Sequence, residues 1–238
     1  MRLTVLMYHK VDEVPPGTKN PGNFVSPARF AEQMDALVAW GYQSVSFDQW
    51  IDYRNGLIKT LPPKPLIVTF DDGYTCFDEN AWPAMKKRGI RATVFLVSSQ
   101  IGKTNTWDEG EVSFPLLGAP RIRALQDEGV EFGSHSVSHK PLARLASVDA
   151  FQELNRSRWA LTELLDRDVN VFAYPFSNQS REVRALAQQA GYRCAVRGKG
   201  RMCSKRTDPF GLYRIKVEPE TTVASLRSTL LRERLRIF

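Results

Sequence analysis

The sequence predicts one α/β domain, a barrel of parallel strands with helices between them. Three observations lead to this fold class. Predicted strands and helices alternate along the whole chain, which is typical of βαβ connections. About seven such units follow one another, and long loops after several strands suit a barrel better than an open sheet. No internal repeat or domain boundary is visible, so residues 1–238 are expected to form a single domain.

The strands are predicted from short apolar runs that end at turn signals. In chain order they cover residues 3–8, 44–47, 66–70, 92–97, 130–133, 169–173, 193–196 and 212–217. Residues 10–26, 98–119 and 198–210 are predicted to be long loops, which are often functional. The third strand is the clearest, because its apolar run stops abruptly at Asp71-Asp72-Gly73.

The helices are predicted from apolar spacing and from end signals. They cover residues 27–40, 48–53, 78–88, 120–128, 147–165, 182–190 and 223–235. Ser26 is expected to cap the first helix, with Pro27 at its first position. Asp48 and Ser147 are the predicted caps of the second and fifth helices, and Val38 is assigned to the apolar stripe of the first.

Composition and charge limit the function classes. The net charge of +7 is compatible with anionic glycans, phosphate-bearing lipids or nucleic acid. The basic residues show no aromatic interleaving or known motif, so nucleic-acid binding is not expected. The three cysteines form no C-x-x-C pair, which argues against a disulfide framework or a cysteine zinc site. No signal peptide and no transmembrane segment is predicted, and we expect a cytoplasmic protein.

The polar residues at two predicted strand ends are the candidate site. Asp71 and Asp72 follow a buried strand, where two carboxylates are costly unless a cation or hydrogen bonds compensate them. The alternative is that an aspartate simply caps the next helix. His135 and His139 follow a later strand, and on a helical turn their spacing would place both rings on one side. The alternative for this pair is two ordinary loop histidines.

Together these residues predict a catalytic metal site. One carboxylate and two imidazoles make a three-ligand site with open positions, which is typical of catalytic metals. Asp72 would bind the metal, and Asp71 would accept a proton from a water molecule at the metal. This chemistry is hydrolysis of an amide or an ester.

Three segments resemble the polysaccharide deacetylases of carbohydrate esterase family four. They are Thr69-Phe70-Asp71-Asp72-Gly73, His135-Ser136-Val137-Ser138-His139 and Phe172-Ala173-Tyr174-Pro175-Phe176. The resemblance implies a distorted (β/α)7 TIM-like barrel and metal-dependent removal of acetyl groups from N-acetylated sugars. Zinc is the commonest metal of this family, with cobalt, nickel or manganese as the other candidates.

The resemblance also assigns roles by position. Asp71 corresponds to the catalytic base, and Asp72, His135 and His139 to the metal ligands. The backbone around Tyr174, within Tyr174-Pro175-Phe176, corresponds to the segment that holds the oxyanion.

Two positions depart from the family pattern. Ala173 stands where most members carry the arginine that orients the base, and Arg214 in the last strand is the predicted replacement. No histidine follows His139 to serve as the acid. His9, in an opening Tyr-His strand, resembles the acid of the circularly permuted exopolysaccharide deacetylases. The alternative for His9 is a core histidine with backbone partners.

Three further features are ambiguous. Trp107 could stack on a sugar ring or plug the core. The basic stretch 197–201 could contact an anionic polymer, although solvated loop charge is the simpler interpretation. The last helix has four leucines beside four arginines and could touch a membrane surface, although closing the barrel is the preferred role. Its residues are Leu226, Arg227, Leu230, Leu231, Arg232, Arg234, Leu235 and Arg236.

The predicted function is therefore metal-dependent deacetylation of N-acetylated sugar units in a glycan or its biosynthetic precursor. Two alternatives stay open. One is another amide hydrolysis, such as deformylation of a lipid- or nucleotide-linked amino sugar. The other is a non-catalytic glycan-binding barrel, which the loss of arginine at Ala173 would favour.

Overall fold

The computed structural model describes residues 1–198 and 200–236. Its strands are β1 (Thr4–Tyr8), β2 (Lys10–Val11), β3 (Phe24–Val25), β4 (Gln43–Ser44), β5 (Pro65–Phe70), β6 (Ala92–Leu96), β7 (Glu131–Ser134), β8 (Val171–Ala173), β9 (Cys194–Gly198) and β10 (Leu212–Lys216). Its α-helices are α1 (Pro27–Ala39), α2 (Phe47–Asn55), α3 (Trp82–Lys86), α4 (Ala119–Asp127), α5 (Ser147–Leu165), α6 (Arg181–Gln189) and α7 (Val223–Leu235). A π-helical turn, Phe77–Ala81, leads into α3.

Seven parallel strands close into a barrel. Their order is β1-β10-β9-β8-β7-β6-β5, and pairing of β1 with β5 completes the ring. The short β4 pairs with the start of β5, while β2 and β3 form a separate parallel pair. The predicted (β/α)7 barrel is confirmed.

The core has two layers, because successive residues of each strand point to opposite faces. Val5, Ile67 and Phe95 belong to the cluster inside the barrel. Leu6 and Val68 belong to the larger cluster between the strands and the helices. Burial on both faces explains why these strands are continuous apolar runs rather than alternating ones.

Two of the three predicted helix caps are wrong. Ser46, not Asp48, caps α2, because its hydroxyl accepts the Gln49 amide while the Gln49 side chain accepts the Ser46 amide. This capping box starts the helix at Phe47 and ends the predicted strand 44–47 early. Ala146 is the N-cap of α5, and the Ser147 hydroxyl contacts Glu182 instead. Ser26 does cap α1, with Pro27 at its first position.

Other differences concern surface and loop positions. Val38 is 46% exposed, so it does not belong to the buried stripe of α1. The predicted loop 10–26 contains β2 and β3, which pair in parallel.

The last helix is half-buried. Leu226 and Leu230 are in the core, as expected for a helix that closes the barrel, whereas Leu231 and Leu235 are 50% and 79% exposed. Membrane-surface contact stays a prediction. Within the described residues, none of the helices has the length and apolarity needed to span a membrane. The basic stretch 197–201 includes Lys199, which lies outside the described residues.

Candidate active site

The predicted site residues meet at the C-terminal ends of the barrel strands. His9 follows β1, Asp71 and Asp72 follow β5, and His135 follows β7. Together with Arg214 from β10 they line a cavity of about 230 Å³. Every predicted site residue except Pro175 lines this cavity. Parallel strands explain the convergence, since all their carboxyl ends lie at one rim of the barrel.

Arg214 lies against Asp71. Its two terminal nitrogens donate to the two carboxylate oxygens at 2.6 and 2.7 Å, and Thr69 Oγ1 accepts from the same guanidinium at 3.1 Å. The side chains are only 1% and 4% exposed. A bidentate pair of this kind fixes the orientation of the carboxylate as well as its charge. The guanidinium of Arg214 therefore lies beside Asp71, the residue that the arginine missing at Ala173 would orient.

The pKa of Asp71 reflects this contact. Burial alone would raise the pKa, but the charge and hydrogen bonds of Arg214 outweigh it and hold the pKa below its ordinary value. Asp71 is therefore ionised at neutral pH, which is the state that can accept a proton.

Asp72, His135 and His139 form a compact buried triad. Asp72 Oδ1 lies 3.5 Å from His135 Nε2 and 3.3 Å from His139 Nε2. All three ligand atoms lie within 4.8 Å of one another, as a shared metal ion requires. Asp72 Oδ1 and His139 Nδ1 are buried without a hydrogen-bond partner among the described residues. Such atoms are costly unless something binds them.

The orientation of His135 also fits a metal ligand. Its Nδ1 donates to the Ala173 carbonyl at 2.7 Å, because a carbonyl oxygen can only accept. The lone pair of the ring is then on Nε2, which faces Asp72. Burial lowers the pKa of His135 to about 4, so the ring is neutral near pH 7. One carboxylate and two imidazoles suit Zn²⁺.

The two histidines do not lie on a helical turn, so that prediction is wrong. Residues 135–139 form an irregular loop in which Ser136 and His139 have φ angles of 69° and 58°. Glu153 of α5 holds this loop: its carboxylate accepts the amides of Val137 and Ser138 at 2.9 Å each. No local signal in the sequence identifies Glu153, because it lies on a helix that is distant in sequence.

The turn after Asp72 depends on glycine. Asp72 and Gly73 have φ angles of 75° and 82°. A Cβ on Gly73 would lie 2.7 Å from Leu96 Cδ2, so a larger residue would push the Leu96 side chain aside and would also be strained by the positive φ. This explains physically why glycine follows the two aspartates.

His9 lines the same cavity. The pKa of His9 is lowered by burial, and the charges of Asp71 and Asp72 oppose that effect. Asp71 and Asp72 are therefore close enough to His9 to affect its pKa.

Within the predicted oxyanion segment Tyr174-Pro175-Phe176, the backbone amides differ in their availability. The Tyr174 amide already donates to the Val196 carbonyl at 3.2 Å, and its hydroxyl donates to the Phe210 carbonyl at 3.0 Å. Pro175 has no amide hydrogen. Phe176 is therefore the candidate donor from this segment. It is 62% exposed, and its φ of 56° turns the chain at the rim.

Two aromatic side chains flank His139. The ring centroids of Trp107 and Phe176 lie 4.6 and 4.7 Å from that of His139. Trp107 is half-buried: it lines the cavity and also packs against the small hydrophobic cluster that contains Tyr74. Asp108 beside it also lines the cavity, and the sequence did not single it out as a site residue.

Comparisons with known proteins show the family of this chain. Residues 58–195, more than half of the chain, match the polysaccharide deacetylase family model. The poly-beta-1,6-N-acetyl-D-glucosamine N-deacetylase of Staphylococcus aureus (strain MSSA476) is 20% identical over 205 residues, which is 82% of this chain and 68% of that protein. YxkH of Bacillus subtilis is 24% identical over 226 residues, covering 92% and 72% respectively.

Solved structures show the same likeness. IcaB from Ammonifex degensii is 26% identical, with a TM-score of 0.81 over 96% of each chain. The Streptococcus pyogenes deacetylase PplD, solved in complex with acetate, is 22% identical with a TM-score of 0.84 over 96% of this chain and 98% of that chain, and shares the fold. The match of the family model establishes that this chain belongs to the polysaccharide deacetylase family.

Proposed function

We propose that this chain is a zinc-dependent N-deacetylase that releases acetate from N-acetylated sugar units of a glycan or its precursor. The observation that carries the proposal is the Asp71–Arg214 pair beside the triad of Asp72, His135 and His139 in one cavity. Two relatives support the substrate class: one is named an N-deacetylase of poly-N-acetylglucosamine, and another was solved with acetate.

Each residue has a distinct role in this proposal. Asp72, His135 and His139 would hold the ion, which when bound polarises the acetyl carbonyl as a Lewis acid. Asp71 accepts a proton from the attacking water, and Arg214 keeps Asp71 ionised and aimed at the cavity. The water oxygen bonds to the acetyl carbon, the carbon–nitrogen bond breaks, and acetate and a free amine leave.

The leaving nitrogen needs a proton, and His9 is the proposed donor. His9 lines the same cavity as the base Asp71, so its ring is placed to pass a proton to the leaving nitrogen. The alternative interpretation of His9 as an ordinary core histidine has less support, since the ring faces the reaction cavity.

The test is acetate release by zinc-loaded protein from N-acetylglucosamine oligomers and from a nucleotide-linked N-acetyl sugar. Asp71→Asn should lower kcat by about 10²- to 10⁴-fold, because it removes the base but leaves the metal ligands in place. Zinc stoichiometry should stay near one per chain in that variant. Asp35→Asn is the matched control, because Asp35 is exposed, pairs with Arg88 and does not line the cavity.

Three outcomes would contradict the proposal. Undiminished hydrolysis by Asp71→Asn would show that another group is the base. Release of formate from N-formyl sugars, with no release of acetate from the N-acetyl sugars, would indicate a deformylase. Zinc stoichiometry near zero with glycan binding intact would indicate a non-catalytic barrel.

A further inference from the structure

Lys10 is a buried lysine next to the site. It is 2% exposed and directly follows His9. No carboxylate of the described residues forms an ion pair with it. A buried ammonium without an ion-pair partner is costly, so something else must offset the loss of hydration.

Three aromatic rings surround the ammonium. Lys10 Nζ lies 3.9 Å from the centroid of Tyr74, 4.6 Å from that of Phe114 and 5.0 Å from that of Phe24. Phe114 also contacts the other two rings edge-on, at 5.4 Å for Phe24 and 6.1 Å for Tyr74. Ring faces attract cations, and the attraction is strongest where water is excluded. We refer to Tyr74, Phe114 and Phe24 as the aromatic cage.

The cage joins three segments that are distant in sequence. Phe24 belongs to β3, Tyr74 follows the Asp71-Asp72-Gly73 turn, and Phe114 lies in the loop between β6 and α4. The ammonium of Lys10 is their common contact. Removing its charge would weaken all three contacts at once.

Phe114 is coupled to the cavity through its own loop. Its amide donates to Asn105 Oδ1 at 2.7 Å, and the Asn105 carbonyl accepts the Asp108 amide at 3.1 Å. Trp107 and Asp108 lie at the tip of this loop and line the cavity. Burial lowers the pKa of Lys10, and the negative charges of Asp72 and Asp108 partly offset this effect. Both carboxylates therefore act on the ammonium electrostatically.

We propose that Lys10 is a positioning residue whose caged ammonium holds loop 104–115 in place, so that Trp107 and Asp108 form one wall of the substrate cavity. This inference rests on the proposed function, because it assumes that the cavity takes the sugar. Lys10 does not face the reacting atoms in this proposal. Its loss should therefore weaken substrate binding more than it slows the chemical step.

The first test separates KM from kcat in Lys10→Met, which keeps most of the length of the side chain and removes the charge. We expect KM to rise about tenfold while kcat changes less than about threefold. Lys10→Arg retains a cation and should recover part of the loss. Lys64→Met is the matched control, since Lys64 Nζ also lies over a ring, 5.7 Å from Tyr42, but does not line the cavity.

The second test measures the solvent exposure of Trp107 in the loop and needs no activity assay. Acrylamide quenching of Trp107 is obtained as the difference between each protein and its Trp107→Phe version. In Lys10→Met the quenching constant should rise at least about twofold, toward that of an exposed tryptophan such as Trp159, which is 66% exposed. Phe114→Leu removes one ring of the cage and should act in the same direction, which keeps the test valid if Lys10→Met does not fold.

The outcomes distinguish the two proposals. Unchanged KM and unchanged quenching in both Lys10→Met and Phe114→Leu would overturn the role of Lys10. Equal effects in Lys64→Met would overturn it as well, because they would reflect general stability. If even the wild type hydrolyses nothing, the proposed function fails, while the quenching arm still decides whether Lys10 holds the loop.

Discussion

The two ends of the barrel each carry an arginine–aspartate pair, in opposite environments. At the C-terminal rim the side chains of Arg214 and Asp71 are 1% and 4% exposed. At the N-terminal end Arg193 pairs with Asp48, and these side chains are 34% and 46% exposed. Arg193 also binds Asp52, so this end is a solvated network. A solvent-exposed ion pair contributes little to stability. Removing one partner of a buried pair is strongly destabilising, because it leaves the other charge buried and unpaired.

Backbone strain follows the same division. The described residues include six non-glycine positions with positive φ, and five of them lie at or next to the rim: Asp72, Ser136, His139, Phe176 and Ser177. The sixth, Asp166, ends α5 at the opposite end of the barrel, where a left-handed residue is an ordinary helix terminus. Left-handed residues cost free energy, and their concentration beside the candidate site suits a rim that is shaped for chemistry.

The largest effect that would test this comparison concerns the two arginines. Arg214→Met should lower the free energy of unfolding by about 3–5 kcal/mol, because it leaves the Asp71 carboxylate buried without a cation. Arg193→Met should cost about 1 kcal/mol or less, since its partners can hydrate. Urea denaturation measures both. Equal losses in the two variants would show that the ends of the barrel do not differ as described.

The next effect is the pH dependence of the metal-free protein. Burial holds the folded pKa of His135 near 4, below its ordinary value of 6.5, so the unfolded chain binds more protons between these values. The contribution of His135 to the free energy of unfolding should therefore be fully present above about pH 6.5 and should fall by about 3 kcal/mol as the pH drops to 4. His135→Gln should remove this part of the slope in denaturation measured from pH 4 to 7.

Glu131, at the N-terminal end, should act with the opposite sign. Burial raises its folded pKa above 4.5, so the unfolded chain releases the proton first. Its contribution is present below about pH 4.5 and is lost as the pH rises through the raised pKa. Relative to the wild type, Glu131→Gln should therefore gain more unfolding free energy at pH 7 than at pH 4. The same sign for both variants would contradict this contrast.

The smallest effect concerns the left-handed residues. Phe176→Gly and Asp166→Gly should each stabilise the fold by up to about 1 kcal/mol, since glycine adopts positive φ without steric cost. Thermal unfolding measures this gain. Only Phe176→Gly should also reduce kcat/KM, because Phe176 lines the cavity and Asp166 does not. Equal kcat/KM in the two variants would remove Phe176 from the site.

Local patterns in the sequence determined most of the element order. Buried strands and amphipathic helices have different apolar periods, so alternation of the two predicted a parallel barrel. The end of α7 and the cap of α1 were predicted correctly for the same reason, since such signals act within a few residues. Parallel strands end at one rim, and that rule alone placed the residues around Asp71 near those around His135.

Tertiary structure decided what depends on residues distant in sequence. Asp71 meets Arg214 only because β1 lies between β5 and β10 and brings these strands together. The loop from His135 to His139 is irregular because Glu153 binds its amides, which no helical spacing could reveal. The sequence determined which chemical groups the rim would hold. Their pairing required strand order and loop contacts, because ion pairs and hydrogen bonds act through space, whereas periodicity acts along the chain.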